Sequence, residues 1–169
     1  MNTLFEGIEP MVYESGISVP YNWWAGDTAS RFFVGLRDEQ KIWGTRCLSC
    51  RTVRVPPRKS CPICFHSQSD WVEVSGEGVV KTFTIARRQL AALKQSVPVI
   101  FGLIRLDGAD TSILHCIGDT SPEAVQIGMR VKAKFAETRR GEIRDIACFV
   151  PCEFCTVETQ AMCHPDFDI

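Results

Sequence analysis

The stretch TRCLSCRTVRVPPRKSCPIC, Thr45–Cys64, carries four cysteines as two C-x-x-C pairs, Cys47/Cys50 and Cys61/Cys64, with ten residues between the pairs. Each pair presents two sulfurs from one tight turn, and two such turns complete a tetrahedron. A tetrahedral four-sulfur site holds zinc or iron. Zinc is the expectation, because structural zinc modules are far commoner, so the expected ligands of one Zn²⁺ are Cys47, Cys50, Cys61 and Cys64. The set is coordinatively closed, with no position left for water or substrate. Its role is then structural: metal binding supplies folding free energy that so short a segment cannot draw from an apolar core.

Four thiolates around one Zn²⁺ leave a formal charge of about −2, four negative charges against two positive. The run from Arg46 to Lys59 holds five basic residues (Arg46, Arg51, Arg54, Arg58, Lys59) and no acid. Two of them suffice to offset the cluster. The others form either a solvated face, the commoner outcome of a charge run, or a patch for the phosphates of nucleic acid or coenzyme A.

The sequence has 169 residues, 45% of them hydrophobic, and a net charge of −1. That supports one ordinary domain or two small ones with a real core. No apolar run reaches the roughly 18 residues of a membrane span. The start, MNTLFEGIEPMVYESG, carries Glu6, Glu9 and Glu14 and has neither a basic start nor an apolar centre. It does not read as a signal peptide, and a cytoplasmic protein is expected. In a protein without an export signal, paired C-x-x-C motifs point to metal before disulfides, and the odd total of nine cysteines argues against a fully paired set. The near-zero charge argues against a dedicated nucleic-acid binder.

Upstream of the cysteines, residues 1–26 read as an extended arm with Pro10, Pro20, Gly7, Gly16 and Gly26. Its Tyr21, Trp23 and Trp24 either anchor a partner or cover the protein's own core. Ala29, Phe32, Phe33 and Leu36 then share one helical face. With Asp27 as N-cap and Gly44 as terminator, a helix is predicted over about 28–40. Downstream the pattern turns to strands: 71–85 with Gly76 and Gly78 at a bulge or bend, then 98–106 and 111–118 joined by Asp107-Gly108. Ser121-Pro122-Glu123 predicts a short helix ending at Gly128, before strands at 130–137 and 143–150. Three strands, a helix and two strands are the order of a five-stranded OB-fold barrel. The fold expected is mainly β with an N-terminal helix, a four-cysteine zinc ribbon and that barrel. The divisions are arm 1–26, helix 27–44, ribbon 45–67, barrel 70–150 and an acidic cysteine-containing tail 151–169.

This arrangement resembles an acyl-CoA-associated family with a rubredoxin-like zinc ribbon and a C-terminal OB-fold, once classed as a domain of unknown function. The matching residues are Phe32, Phe33 and Leu36 of the helix, GTRCLSC (44–50), VPPR (55–58), CPIC (61–64), WVEVSGEG (71–78), PVIFGLIRLDG (98–108) and IGMRV (127–131). They lie within about 28–150. The resemblance implies a non-catalytic accessory subunit in a hetero-oligomer with a thiolase-fold catalytic subunit, which it stabilises. It also implies an acyl-CoA thioester bound at or near the interface. Alternative partners within the family are an acyl-CoA hydratase or dehydrogenase. One member belongs to the thiolase that cleaves benzoylsuccinyl-CoA in anaerobic toluene breakdown. A cysteine-rich protein suits an anaerobe, but no motif here selects that substrate. A zinc-ribbon and OB-fold module for nucleic acid is the reading from another class.

Two features depart from the family pattern: a longer arm before Tyr21, and a tail with Cys152, Cys155, Cys163 and His164. Three thiols and an imidazole could hold a second zinc; the alternative is a mobile acidic tail with unbound thiols. No catalytic set stands out. His115 and Cys116 are neighbours in a predicted strand, which directs them to opposite faces, and Cys116 and Cys148 read as small core residues. Arg87 and Arg88 open the segment between the first two barrel strands, where OB-folds commonly place ligands. They are the candidate contacts for coenzyme A phosphates or for an acidic patch on a partner.

Overall fold

The computed structural model of the protein describes residues 7, 16, 19–67, 70–89 and 95–152. Helix α1 spans Asp27–Val34 and runs on as a π-helical turn over Gly35–Glu39. Gly26, at φ 84°, is the N-cap, and Asp27 is the first helical residue. There its carboxylate faces the positive end of the helix dipole instead of capping a backbone N–H. The exit is Gln40, left-handed at φ 54°, where Lys41 N–H closes on the Gly35 carbonyl at 3.2 Å. Gly44 does not end the helix. It lies inside the next strand, where a Cβ would stand 3.0 Å from the Arg54 carbonyl oxygen.

Phe32 and Leu36 of the predicted apolar face are buried. The opposite contact is an arginine stack: the Arg31 guanidinium sits 4.4 Å from the Trp71 ring centre and 5.7 Å from that of Trp43. Both tryptophans belong to the sheet that follows, so the helix is fastened to the ribbon by apolar burial and cation–π attraction together.

That sheet has β1 (Ile42–Arg46) in the centre, β2 (Val53–Arg54) on one side and β3 (Asp70–Val74) on the other, all antiparallel. The run 71–85 reads as one strand but folds as two. Its first half is β3, paired to β1; the backbone bends at Gly76, and β4 (Glu77–Ala86) begins the barrel. The bulge falls later, between Val80 and Thr82, and lets β4 pair with two neighbours along its length. Gly78 has a different reason: a Cβ there would overlap the Arg105 carbonyl oxygen.

The barrel continues with β5 (Val99–Leu106), β6 (Ser112–Ile117), β7 (Arg130–Phe135) and β8 (Ile146–Pro151). It closes in the order β4-β5-β6-β8-β7, with β6–β8 parallel and every other seam antiparallel. This is the five-stranded OB topology. Val80, Ile104, Val131, Ile146 and Phe149 fill the interior with no accessible surface. The predicted helix at Ser121 is a single turn. Ala124 N–H bonds the Ser121 carbonyl, and Gly128 N–H then returns to the Val80 carbonyl on β4. The backbone is recaptured before a second helical turn can offset the cost of nucleation. The predicted strand at 143 also starts late. Ile143–Asp145 is a 3₁₀ turn, and buried Asp145 accepts hydrogen bonds from the N–H groups of Arg140, Gly141 and Glu142.

Ribbon and barrel meet at the backbone of β2. Val53 N–H donates to Asp110 Oδ2 at 2.8 Å, and Asp110 N–H donates to the Val53 carbonyl at 2.9 Å. Val55 N–H donates to Thr111 Oγ1 at 2.8 Å, and that hydroxyl donates to the Val55 carbonyl at 2.9 Å. The loop after the Asp107-Gly108 turn thus covers the open edge of β2, mostly through its side chains. Thr111→Val and Asp110→Ala are each expected to cost about 1–3 kcal/mol, because they leave Val53 or Val55 backbone groups unpaired. Urea unfolding checks this: the midpoint falls, whereas an unchanged midpoint shows the clamp to be dispensable.

Candidate metal centre

The first knuckle is set by Cys47 N–H donating to the Thr52 carbonyl at 3.0 Å. The second is set by Cys61 N–H to the His66 carbonyl and Phe65 N–H to the Cys61 carbonyl, both 2.9 Å. Arg51 and Phe65, each one residue past a C-x-x-C, take positive φ of 60° and 58° to turn the backbone back. Buried Thr45 ties the knuckles together, its Oγ1 accepting from Arg58 N–H at 3.1 Å.

These turns bring the Sγ atoms of Cys47, Cys50, Cys61 and Cys64 within 4.8 Å of one another. Cys50 and Cys61 sulfurs are 3.7 Å apart. A Zn–S bond of about 2.3 Å in a tetrahedron sets neighbouring sulfurs about 3.8 Å apart, so the set fits zinc. Cys47 and Cys61 are buried, with Cys50 and Cys64 nearer the surface. The thiols cannot all ionise unaided. Cys64 N–H and then Ile63 N–H favour the Cys61 thiolate against burial and pull its pKa to about 6. The Ser49 hydroxyl favours the Cys64 thiolate, but Cys50, burial and Cys61 override it and push the Cys64 thiol up to about 11. A divalent cation removes that conflict.

Of the five basic residues, the structure selects Arg54 as partner of the centre. It is 8% exposed, its Nη2 lies 4.0 Å from Cys61 Sγ, and its Nε has no hydrogen-bond partner. A buried guanidinium needs local negative charge, which the thiolate cluster provides. Arg46, Arg51, Arg58 and Lys59 are exposed, Arg46 paired with Asp70 at 3.7 Å. Nothing in the local sequence ranks Arg54 above them; its place in β2, facing inward, is what does so.

The other candidates lie elsewhere. Arg87 and Arg88 are exposed just past β4, on the barrel and not on the ribbon. The apolar segment after them falls at 90–94, outside the described residues. So do Cys155, Cys163 and His164, while Cys152 is disulfide-bonded. His115 and Cys116 do touch, against expectation: the imidazole folds back on its own strand, placing Nδ1 3.4 Å from Cys116 Sγ. The contact is not an activated pair. Nδ1 accepts from Cys116 N–H, Nε2–H donates to the Ile143 carbonyl, and the thiol donates to the Ala147 carbonyl. Burial pushes the imidazole pKa down and the thiol pKa up, so both stay neutral. Cys116 and Cys148 are half-buried on the outside of the barrel and are not core residues. Tyr21, Trp23 and Trp24 are 74–77% exposed and do not cover the core. No helix among the described residues is long and apolar enough to cross a membrane.

Known proteins match this arrangement. Residues 35–70 match the model of the ChsH2 rubredoxin-like zinc ribbon domain, and residues 71–136 that of the ChsH2 C-terminal OB-fold domain. A DUF35 domain-containing scaffold protein of Methanocaldococcus jannaschii is 31% identical over 101 residues, 59% of this protein and 71% of its own length. A protein of Thermomonospora curvata named as a probable enoyl-CoA hydratase alpha subunit is 29% identical over 106 residues, 63% of this protein but only 33% of its own length. Among solved structures, a subunit of the Ltp2-ChsH2(DUF35) aldolase superposes with a TM-score of 0.61 at 22% identity, covering 77% of this protein and 98% of that subunit. At that identity the likeness concerns the fold alone.

Two predictions test the centre. Cys61→Ser is expected to abolish stoichiometric metal retention, read by elemental analysis of the purified protein. Arg54→Met keeps the stem and deletes the charge; zinc transfer to a competing chelator should become about tenfold easier, the size of effect outer-shell partners typically have. An unchanged chelator titration removes Arg54 from the account.

Proposed function

The protein belongs to the DUF35 family of zinc-ribbon and OB-fold proteins, and from that premise we propose that it is the non-catalytic accessory subunit of a thiolase-type acyl-CoA complex. One observation carries the reading: both ChsH2 domains are present in order, and the cluster with ligand chemistry among the described residues is a closed four-thiolate set. Such a site fixes shape and leaves acyl transfer to a partner. The catalytic subunit then has the thiolase fold, selects the acyl group and is stabilised by this protein. Benzoylsuccinyl-CoA is one substrate of that class. The Thermomonospora relative favours a second partner of the same kind, an acyl-CoA hydratase.

The surface supports a docking role. Leu48, Ile63 and Phe65 at the knuckles are 72%, 66% and 82% exposed, and Tyr21, Trp23 and Trp24 stand out on the arm. Large apolar side chains left in water are typical interface anchors. Arg87 and Arg88 would meet coenzyme A phosphates or partner carboxylates from the barrel side.

Purification from the native source under mild conditions, followed by native mass spectrometry, tests the reading. The expected result is one zinc per subunit and a thiolase-sized partner. A protein isolated without a partner and retaining nucleic acid contradicts it. In the reconstituted complex, Trp23→Ala with Trp24→Ala should weaken partner affinity at least tenfold, each anchor being worth about 1–2 kcal/mol or more. Zinc content should not change. Arg87→Ala with Arg88→Ala should weaken acyl-CoA binding or assembly; no change in either removes that pair from the proposed site.

A further inference from the structure

The outer wall of the barrel holds a second pair of thiols, at the seam where β6 meets β8. These strands run parallel and join at one register pair, Ile117↔Phe149, with Gly118 N–H donating to the Phe149 carbonyl at 2.8 Å. One residue back on each strand stand Cys116 and Cys148. On β6 the alternation turns Ile113, His115 and Ile117 inward and leaves Cys116 outward. On β8 a bulge resets the alternation: Lys134 pairs with Cys148, but Phe135 pairs with Ile146, so Ala147 is the extra residue. Ile146 and Phe149 both face the core as a result, and Cys148 turns to the face that carries Cys116.

Each thiol lies over the other's strand. Cys116 Sγ is 3.1 Å from the Ala147 carbonyl oxygen, part of the peptide unit that leads into Cys148. Cys148 Sγ lies 2.7 Å from where a Cβ on Gly118 would stand, so the glycine is what gives that sulfur its room. Both cysteines line one groove of about 340 Å³, shared with Gln95, Ser96 and Thr120. Matched positions on adjacent strands are about 5 Å apart, within the Cα separation of about 4.4–6.8 Å that a disulfide spans.

We propose that Cys116 and Cys148 form a dithiol site that closes to an intramolecular disulfide by exchange with a small-molecule disulfide. One protein thiolate attacks the reagent, breaking its S–S bond and releasing one small thiolate. The second protein thiol, after losing its proton, attacks the mixed disulfide and releases the other. One S–S bond is made and one broken, two electrons pass from the protein to the reagent, and the two thiol protons end on the two released small thiols. Burial is the main influence on both thiols and favours their protonated form. Exchange is therefore slow, but a pair whose thiolates are not stabilised gives a disulfide that resists reduction. The product is a durable staple across the barrel's parallel seam, and it narrows the groove.

The test incubates the zinc-loaded 169-residue protein with oxidised glutathione, blocks remaining thiols by alkylation, and digests without reduction. The expected result is a peptide pair joined through Cys116 and Cys148 with two hydrogens lost, and zinc retained in the same sample. The thermal midpoint should rise by about 5 °C or more and fall back with dithiothreitol. Cys116→Ser should leave Cys148 alkylated or glutathionylated, with no rise. Separate alkylation or glutathionylation of both cysteines in the native protein overturns the proposal, as does linkage of Cys148 to another cysteine. Ejection of zinc before any Cys116–Cys148 link overturns it equally. The cross-link is read on the native sequence, so it decides the matter even if a variant fails to fold.

Discussion

Four thiolates crowded into one small volume, with like charges that repel, are the constraint on which the ribbon depends. Within 4.8 Å they are tolerable only with a cation at the centre and positive charge beside it. The two-residue strand Val53–Arg54 transmits that constraint. It lies between the knuckles in sequence and pairs with β1 on one edge. Its Arg54 faces Cys61, and its other edge exchanges hydrogen bonds with Asp110. Metal, ribbon sheet and barrel thus share one short piece of backbone. Loosening the metal frees Arg54 from its counter-charge and loosens the edge on which the barrel loop rests.

The centre shapes a surface without offering a reactive position. The knuckles that hold the sulfurs also push Leu48, Ile63 and Phe65 into water, while Arg31 stacked on Trp71 and Trp43 fixes the helix that follows the aromatic arm. Those exposed apolar side chains are the surface on which the proposed docking rests. Burial shifts His115 and Cys116 away from their charged forms, the opposite of what an activated thiol needs.

Much of this was legible in the sequence, for physical reasons. C-x-x-C spacing encodes a knuckle because two sulfurs three residues apart must share a turn, and the helical face of Phe32 and Leu36 is a periodicity. The barrel strands followed from alternation and from the Asp-Gly turn. What escaped were the long-range effects. The break at Ser75-Gly76 depends on β1 capturing residues 70–74. The helix at Ser121 loses to the return of Gly128 to β4. Cys148 faces outward because of a bulge no local pattern announces. Arg54 stands out from its basic neighbours only when β2 turns it inward, and Asp145 only when three backbone N–H groups converge on it.

Acyl-CoA turnover, measured for the native complex, for its catalytic subunit alone and for this zinc-loaded protein alone, tests the central claim most directly. The expected result is turnover by the complex, reduced turnover or instability of the catalytic subunit on its own, and none by this protein. Turnover by the isolated zinc-loaded protein, or a catalytic subunit indifferent to its presence, would contradict it.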